Sequence, residues 1–475
     1  MTRRNLMTQV AATAIFAPTV FSRRAAMAQL PALPNLPSTD AMLLRPGDAH
    51  FADYQKSFNT RTELTPQLRA LCKTASAVGV MVDWCRSNSL SFALRSGGHS
   101  YEGLSQSSVV VIDTRLLSAI TVDKATKSTT VGAGASLGQV YKAIAARGLA
   151  FPGGSCPTVG VSGHVLGGGY GYLARPYGLA CDNVLSIDLV NAQGRQIHAD
   201  MQQNAEVFWA CRGGGGGSFG AVTGYRLRLH ELASVFTFNI KFPQLSLQRA
   251  AAIMKEWQAW APQAPQSIDS NLVIAKDPNG GILLRCAGQS IGSSQELRRE
   301  LKFLSSASPV RRTYLDSITY FAGGQNGWNY PSYPMKGKSD YATSPLTDAG
   351  LSTLMNEVGT SSGIYVICDS YGGAIADTAS DATAFAHRHG TLYCIQYGSD
   401  WANPSDTPRR LSEMRACYAA MRPYVSGAAY VNYCDVDLAD WQNAYWGQNL
   451  TRLKQIKSTF DPDNVFRHAQ SVPVA

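Results

Sequence analysis

A chain of 475 residues, 45% hydrophobic and 16% charged, is too long for one ordinary core and has ample apolar material for two or three domains. Its formal charge is +9, and setting aside the four arginines of the first 28 residues (Arg3, Arg4, Arg23 and Arg24) leaves +5. The remaining basic residues are scattered without a run, which excludes a nucleic-acid footprint. After residue 28 no segment reads as a membrane span, which needs about 20 apolar residues.

Residues 1–28 read as an export signal. Arg3-Arg4 precedes an apolar stretch, Val10 to Phe21, and Ala26-Met27-Ala28 suits cleavage before Gln29. The twin arginine points to the route for proteins exported already folded, to the periplasm or the medium. An uncleaved anchor is the alternative. Residues 29 to 47 are Pro-rich and polar, an extended lead-in.

Thr74 to Cys85 predicts a helix capped by Thr74 or Ser76, with Val78, Met81, Val82 and Cys85 on one face. Ser91 to Leu94 predicts a short strand that delivers the loop Arg95-Ser96-Gly97-Gly98-His99-Ser100. Val109 to Asp113 predicts a buried strand. Thr129 to Val131 leads into Gly132-Ala133-Gly134 and a helix, Leu137 to Arg147. Next comes Gly153-Gly154-Ser155-Cys156-Pro157-Thr158-Val159-Gly160. Ile187 to Val190 and Gln196 to Ala199 predict a hairpin around Gln193-Gly194. Phe208 to Cys211 runs into Arg212 and five glycines, and a β segment, Ala221 to Leu229, closes this unit.

From residue 233 the pattern alternates. Strands are predicted at Val235–Phe242, Gly281–Cys286, Ile364–Cys368 and Leu392–Gln396, and helices at Leu247–Ala259, Gln295–Leu304 and Thr378–His389. An antiparallel sheet backed by helices follows. The tail, Ala429 to Val474, predicts a β segment and a helix, Gln448 to Thr459. The fold class is therefore α+β, in four parts: the signal 1–28, a first domain 29–232, a second domain 233–428 and a tail 429–475.

His99 and Cys156 are two nucleophiles, each framed by glycines. Glycine lets backbone approach a ligand closely, and its amides cradle phosphate. Gly132-Ala133-Gly134 continues to Gly138, a G-x-G-x-x-x-G spacing that departs from the Rossmann fingerprint. The ordered set of glycine loops instead suits one long dinucleotide.

The motifs Arg95 to Gly103, Cys156 to His164, Gly167-Gly168-Gly169-Tyr170-Gly171, Arg212 to Gly216, Tyr430-Val431-Asn432-Tyr433 and Phe460 to Phe466 together resemble the berberine-bridge-enzyme-like branch of the vanillyl-alcohol-oxidase, or PCMH-type, flavoprotein oxidases. The resemblance covers nearly all of the mature chain. It implies an FAD-binding domain at 29–232, a substrate domain at 233–428, and a tail that returns to the first domain. It implies FAD bonded to both His99 and Cys156. The cofactor shell would comprise Arg95, Ser96, Gly97, Gly98, Ser100, Val159, Gly160, Gly163, His164, Gly167, Gly168, Gly171, Gly220, Val222, Asn432 and Tyr433. The structural alternatives are a turn-capping His99 and a buried or disulfide-bonded Cys156.

By the same resemblance Tyr433 matches the base of carbohydrate oxidases, and Asp369 a carboxylate able to take its proton or orient its hydroxyl. A phenol with pKa near about 10 needs such help. The bland readings are a packing aromatic for Tyr433 and a turn cap for Asp369. Tyr101, Tyr170, Gln396 and Tyr430 match positions lining the substrate cleft. Phe321 to Tyr341, rich in Gly, Tyr, Trp and Asn, is expected as a loop that forms one wall of that cleft. Val159 sits at the family's oxygen-gating position, where a small side chain favours an oxidase. Ile367 stands where some oligosaccharide oxidases have glutamine, which makes the pocket less polar.

Of ten cysteines, nine remain beside Cys156, so at least one is unpaired within the monomer. The family's bridge near Cys85 has no partner in residues 29–71, so it is absent or rerouted to Cys72. His387 and His389 are expected on a polar helix surface, with no metal, and His164 as a structural hydrogen-bonder.

The function expected is oxidation of an alcohol, the anomeric hydroxyl of a mono- or oligosaccharide, to a lactone with O2 reduced to H2O2. Oxidation of a secondary-metabolite alcohol or amine is the second reading, and a non-catalytic flavin-bearing binding protein the third. Partners are the small substrate and O2, with no nucleic acid, no membrane and a monomeric chain.

Overall fold

The computed structural model describes residues 30–475 except 233, 303, 305–310 and 319–331, and of 311–318 only the backbone. The export signal and residues 321–331 of the expected cleft wall lie outside the described residues. Pro34–Ala475 forms one compact body.

Four strands open it: β1 (Ala41–Leu44), β2 (Leu68–Cys72), β3 (Phe92–Arg95) and β4 (Val110–Asp113), in the order β1-β2-β4-β3. β2, β4 and β3 run parallel, and β4 is buried throughout, as a strand covered on both faces must be. The helix Ala75–Ser87 joins β2 to β3, and the Thr74 hydroxyl caps it by accepting from Ala77 N–H.

A second sheet follows. It takes β5 (Ile120–Asp123), β6 (Ser128–Gly132), β8 (Val184–Val190), β9 (Gln196–Ala199) and β10 (Ala221–Arg228) in the antiparallel order β5-β6-β10-β8-β9. The short β7 (Leu149–Ala150) and β11 (His230–Glu231) pair with each other. The helix Leu137–Ala145 starts with a full capping box, Ser136 with Gln139. The hairpin of β8 and β9 turns at Gly194, whose φ of +73° only glycine adopts freely.

The third sheet has seven strands, all antiparallel: β12 (Val235–Leu245), β13 (Ile268–Lys276), β14 (Ile282–Ser290), β15 (Arg311–Ile318), β16 (Met335–Ala342), β17 (Ile364–Ser370) and β18 (Tyr393–Asp400). Their order is β15-β12-β14-β13-β17-β18-β16. Side chains alternate between its faces. Ile240, Leu272, Ile274, Leu284, Val366 and Ile395 enter a core with Met254, Trp257, Leu354 and Met414 of the helices Leu247–Trp260, Asp348–Thr360 and Thr407–Met421. The opposite face carries Arg285, Val273, Ile367, Asp369 and Gln396 and lines a cavity.

The tail returns to the first two sheets. Trp446, Leu453 and Val472 are buried in one core with Val131, Phe208 and Tyr225. Buried Lys457 donates to Ser218 O (2.7 Å), Phe466 O (2.6 Å) and Asp461 (2.6 Å).

Four expectations are corrected. Thr378–His389 is not a helix: the segment is an irregular strap after the short helix Ala374–Asp377. Tertiary partners override its periodicity. Buried Arg388 pairs with Asp182 at 2.5 Å, and the Asn449 amide donates to the carbonyl of Ser380 at 2.7 Å. His387 is therefore not on a polar helix surface. It packs against Tyr341 at 4.6 Å, and burial lowers its pKa to about 4. The tail contains no strand, since Val431–Tyr433 is a turn of 3-10 helix closed by Tyr433 N–H to Tyr430 O. Residues Met335–Tyr341 are not loop but the buried strand β16. All ten cysteines are free thiols, and burial raises both Cys72 and Cys85 to about 12.

Candidate active site

β3 delivers the first loop of the site. Arg95 is buried and anchors it, donating to Ser57 Oγ (2.8 Å) and Lys56 O (2.6 Å). Ser96 Oγ and Ser162 Oγ both donate to Ala133 O, at 2.9 and 2.8 Å, so the His99 loop, the Gly132 loop and the helix Val161–Leu166 share one carbonyl. Gly97 and Gly160 touch backbone to backbone, and a Cβ on either would collide with the other.

The imidazole of His99 stacks on Phe58, centroids 4.3 Å apart. Burial, then the charge of Arg95, lowers its pKa to about 4, so it is neutral and nucleophilic at ordinary pH. Its Nε2 lies 2.9 Å from Thr158 Oγ1, and Cys156 Sγ lies 3.5 Å from that same oxygen. Both nucleophiles therefore converge on one point of the cavity wall. His164 is placed as expected: its Nε2 accepts from Gly154 N–H at 2.8 Å, two residues before Cys156.

The adjoining wall of the cavity is aromatic. Ser100 Oγ lies 3.7 Å from Cys434 Sγ, which brings the His99 loop against the Tyr433 turn. Tyr433 stacks on Tyr101 at 5.4 Å with an interplanar angle of 7°. Gln396 Nε2 donates to the Tyr101 hydroxyl at 2.6 Å. Asp369 faces Tyr433, and after burial its charge is the largest influence raising that phenol well above the usual range. No hydrogen bond joins the two among the described residues. Burial, reinforced by Asp269, pushes Asp369 up to about 8.

Tyr170 donates to Asp269 at 2.7 Å. The Tyr430 hydroxyl accepts from Gly169 N–H (2.9 Å) and Asn432 Nδ2 (3.0 Å), so it braces two loops instead of pointing at a ligand. Asn432 also donates to His164 O at 3.0 Å.

The cavity holds about 760 Å³, ample for an extended small molecule. Its lining includes His99, Cys156, Val159, Gly163, Gly171, Gly220 and Val222, together with Tyr101, Tyr170, Asp369, Gln396 and Tyr433. Gly167 and Gly168 stand behind it, pressed on Asn432 and Phe385. Sequence reasoning missed Phe58, Thr158, Tyr172 and Asn271, which carry no motif of their own. Thr158 lies within the Cys156 motif, and its hydroxyl gains a role only where the two loops meet.

A dinucleotide fits the residues present. A Cβ on Gly163 would meet no described atom within 4 Å, so this glycine opens onto cavity space. Two nucleophiles, bare glycine backbone and phenols lining one cavity match a long, redox-active ligand.

Known proteins agree. The FAD binding domain family matches residues 66–200, and the "Berberine and berberine like" family matches residues 429–473. An FAD-linked oxidoreductase of Bacillus subtilis is 33% identical over 442 residues, covering 90% of this chain and 96% of its own. The structure is similar to that of BBE-like 1 from Physcomitrella patens, with TM-score 0.86, 31% identity and coverage of 92% and 98%. It is also similar to a Phl p 4 double variant described as a glucose oxidase, with TM-score 0.82, 30% identity and coverage of 91% and 96%.

Proposed function

Because the chain belongs to the berberine-bridge-enzyme-like family of FAD-linked oxidoreductases, we propose that it is an exported oxidase with doubly bonded flavin, acting on the anomeric hydroxyl of a mono- or oligosaccharide. The product would be a lactone, and O2 would be reduced to H2O2. His99 and Cys156 would hold the cofactor, which supplies hydride acceptance and electron transfer to oxygen when bound.

The observation that carries the reading is the stacked pair Tyr101 and Tyr433 beside Asp369, facing the same cavity that His99 and Cys156 line. In its ionised form Asp369 takes the proton of Tyr433, and Tyr433 then takes the proton of the substrate hydroxyl. Tyr101, held by Gln396, backs the Tyr433 ring and fixes its orientation toward a substrate hydroxyl. The similarity to a glucose oxidase supports the sugar. Ile367 and Val273, side by side on β17 and β13, favour a less polar alcohol as the second reading.

Anaerobic bleaching of the holoenzyme against sugars, aromatic alcohols and amines tests it. Bleaching by sugars, with peroxide on admitting air, is the expected result. Bleaching by aromatic alcohols alone moves the assignment to the second reading. No bleaching by any compound leaves a flavin-bearing binding protein.

A further inference from the structure

A second aspartate lies behind Asp369. Asp269 is on β13, and the alternation of that strand places it on the same face as Asn271. Asn271 is paired with Asp369 of β17. Asp269 and Asp369 are therefore diagonal neighbours across two hydrogen-bonded strands, about 7–8 Å apart at Cα and within reach of one another's field.

Asp269 is wholly buried. Its Oδ1 accepts from Tyr170, and its Oδ2 has no hydrogen-bond partner. The nearest cation does not pair with it: Arg175 spends its guanidinium on the carbonyls of Ile268, Ala264 and Tyr371. The other groups facing the two carboxyls are Tyr172, whose hydroxyl accepts from Asn271, Arg285 of β14, Cys368 of β17, Cys394 of β18, and Tyr371 and Tyr433. An ionised carboxylate with a bare oxygen in such a place is costly.

We propose that Asp269 and Asp369 form one coupled acid pair holding a single proton, in which Asp269 is a positioning residue that sets the pH at which Asp369 becomes a base for Tyr433. The proposal rests on the reading of Asp369 and Tyr433 given above. Two carboxyls this close in a dry site cannot both ionise readily, and their apparent pKa values belong to the pair. Burial raises Asp269 to about 7, in keeping with this. The proton balance is simple. Loss of the shared proton leaves Asp369 ionised, and Asp369 then takes the Tyr433 proton as Tyr433 takes that of the substrate hydroxyl.

The test is D269N in the holoenzyme, which keeps an acceptor for Tyr170 and removes the charge. The acid limb of its kcat/KM profile is expected about one pH unit or more below that of the wild type, and a coincident limb overturns the proposal. Infrared titration without substrate separates this result from the identity of the substrate. The carbonyl band of a protonated carboxyl should persist above about pH 6 in the wild type, well beyond ordinary aspartate. In D269N the Asp369 part of the band, read as the difference from the D269N/D369N double variant so that buried Asp340 cancels, should vanish at lower pH. Coupling is mutual, so D369N must shift the Asp269 band in the same direction, which serves if D269N does not fold. A wild type with no such band, or variants whose bands do not move, overturns the pairing whatever the substrate.

Discussion

His99 and Cys156, 57 positions apart in the chain, meet at a single hydroxyl. Thr158 Oγ1 is 2.9 Å from His99 Nε2 and 3.5 Å from Cys156 Sγ. The backbone contact of Gly97 with Gly160 brings the two loops this close, and Ala133 O ties both to the Gly132 loop. A ligand edge placed against Thr158 meets a neutral imidazole and a thiol at once.

That convergence predicts two independent attachments. H99A and C156A should each keep flavin on the denatured chain, and the double variant should release it. The mass of the intact denatured protein checks this. T158V should slow the gain of mass during reconstitution with FAD by about threefold to tenfold, the value of one hydrogen bond of about 1 kcal/mol.

Y433F should lower the rate of anaerobic flavin reduction by about 10² to 10⁴, the range for loss of a positioned base. Its yellow colour and its stack on Tyr101 should remain, since the ring is unchanged. Stopped-flow absorbance reads the rate, and an unchanged rate would remove Tyr433 as the base.

The glycine loops were legible because few other reasons put so many glycines beside His99 and Cys156. The antiparallel sheet was legible where its strands alternate, as in Val235–Phe242 and Ile364–Cys368. β16 was not. Its sequence, Met-Lys-Gly-Lys-Ser-Asp-Tyr-Ala, looks like solvated loop, yet all eight residues are buried. The partners that neutralise Lys336 are Glu102 and Asp435, 234 and 99 positions away, and no local pattern announces them. The strap 378–389 fails for a similar reason. Its apolar period suggests a helix, but Phe385 is taken up against Gly168 and Gly213, and Arg388 by Asp182. Tyr430 was chosen correctly as a cavity residue, but its hydroxyl serves Gly169 and Asn432, which only the folded chain reveals.

The Lys336 cluster predicts a structural dependence of the site. Its ammonium touches Glu102 at 2.5 Å, Asp435 at 2.6 Å and Asp437 at 3.2 Å, while Lys338 adds a second contact to Asp435 at 2.5 Å. Glu102 lies three residues after His99, and Asp435 two after Tyr433, so one cation ties the His99 loop and the Tyr433 turn to β16. K336M leaves Glu102 with Arg61 and Asp435 with Lys338 as their remaining cations, and should cost about 3–5 kcal/mol. Urea unfolding of the holoenzyme measures it, and a loss below about 1 kcal/mol would show that Arg61 and Lys338 suffice.

The two aspartates also predict how stability varies with pH. Burial holds Asp369 near 8 and Asp269 near 7 in the folded chain, above the ordinary aspartate value of 3.8. The folded state therefore binds more protons than the unfolded state between about pH 4 and 8, and these groups lose their favourable contribution as pH rises through that window. Buried His164 and His387 act in the opposite sense. Their folded values are about 4 against 6.5, so they add stability as pH rises from about 4 to 6.5 and nothing beyond it. Below about 6.5 the two effects oppose, and above it the aspartates act together with Asp340, which burial raises to about 7. The thermal midpoint of the holoenzyme should therefore fall between about pH 6.5 and 8, and D369N should flatten that fall. A midpoint that rises across this interval would mean that neither carboxyl holds a proton in the folded chain.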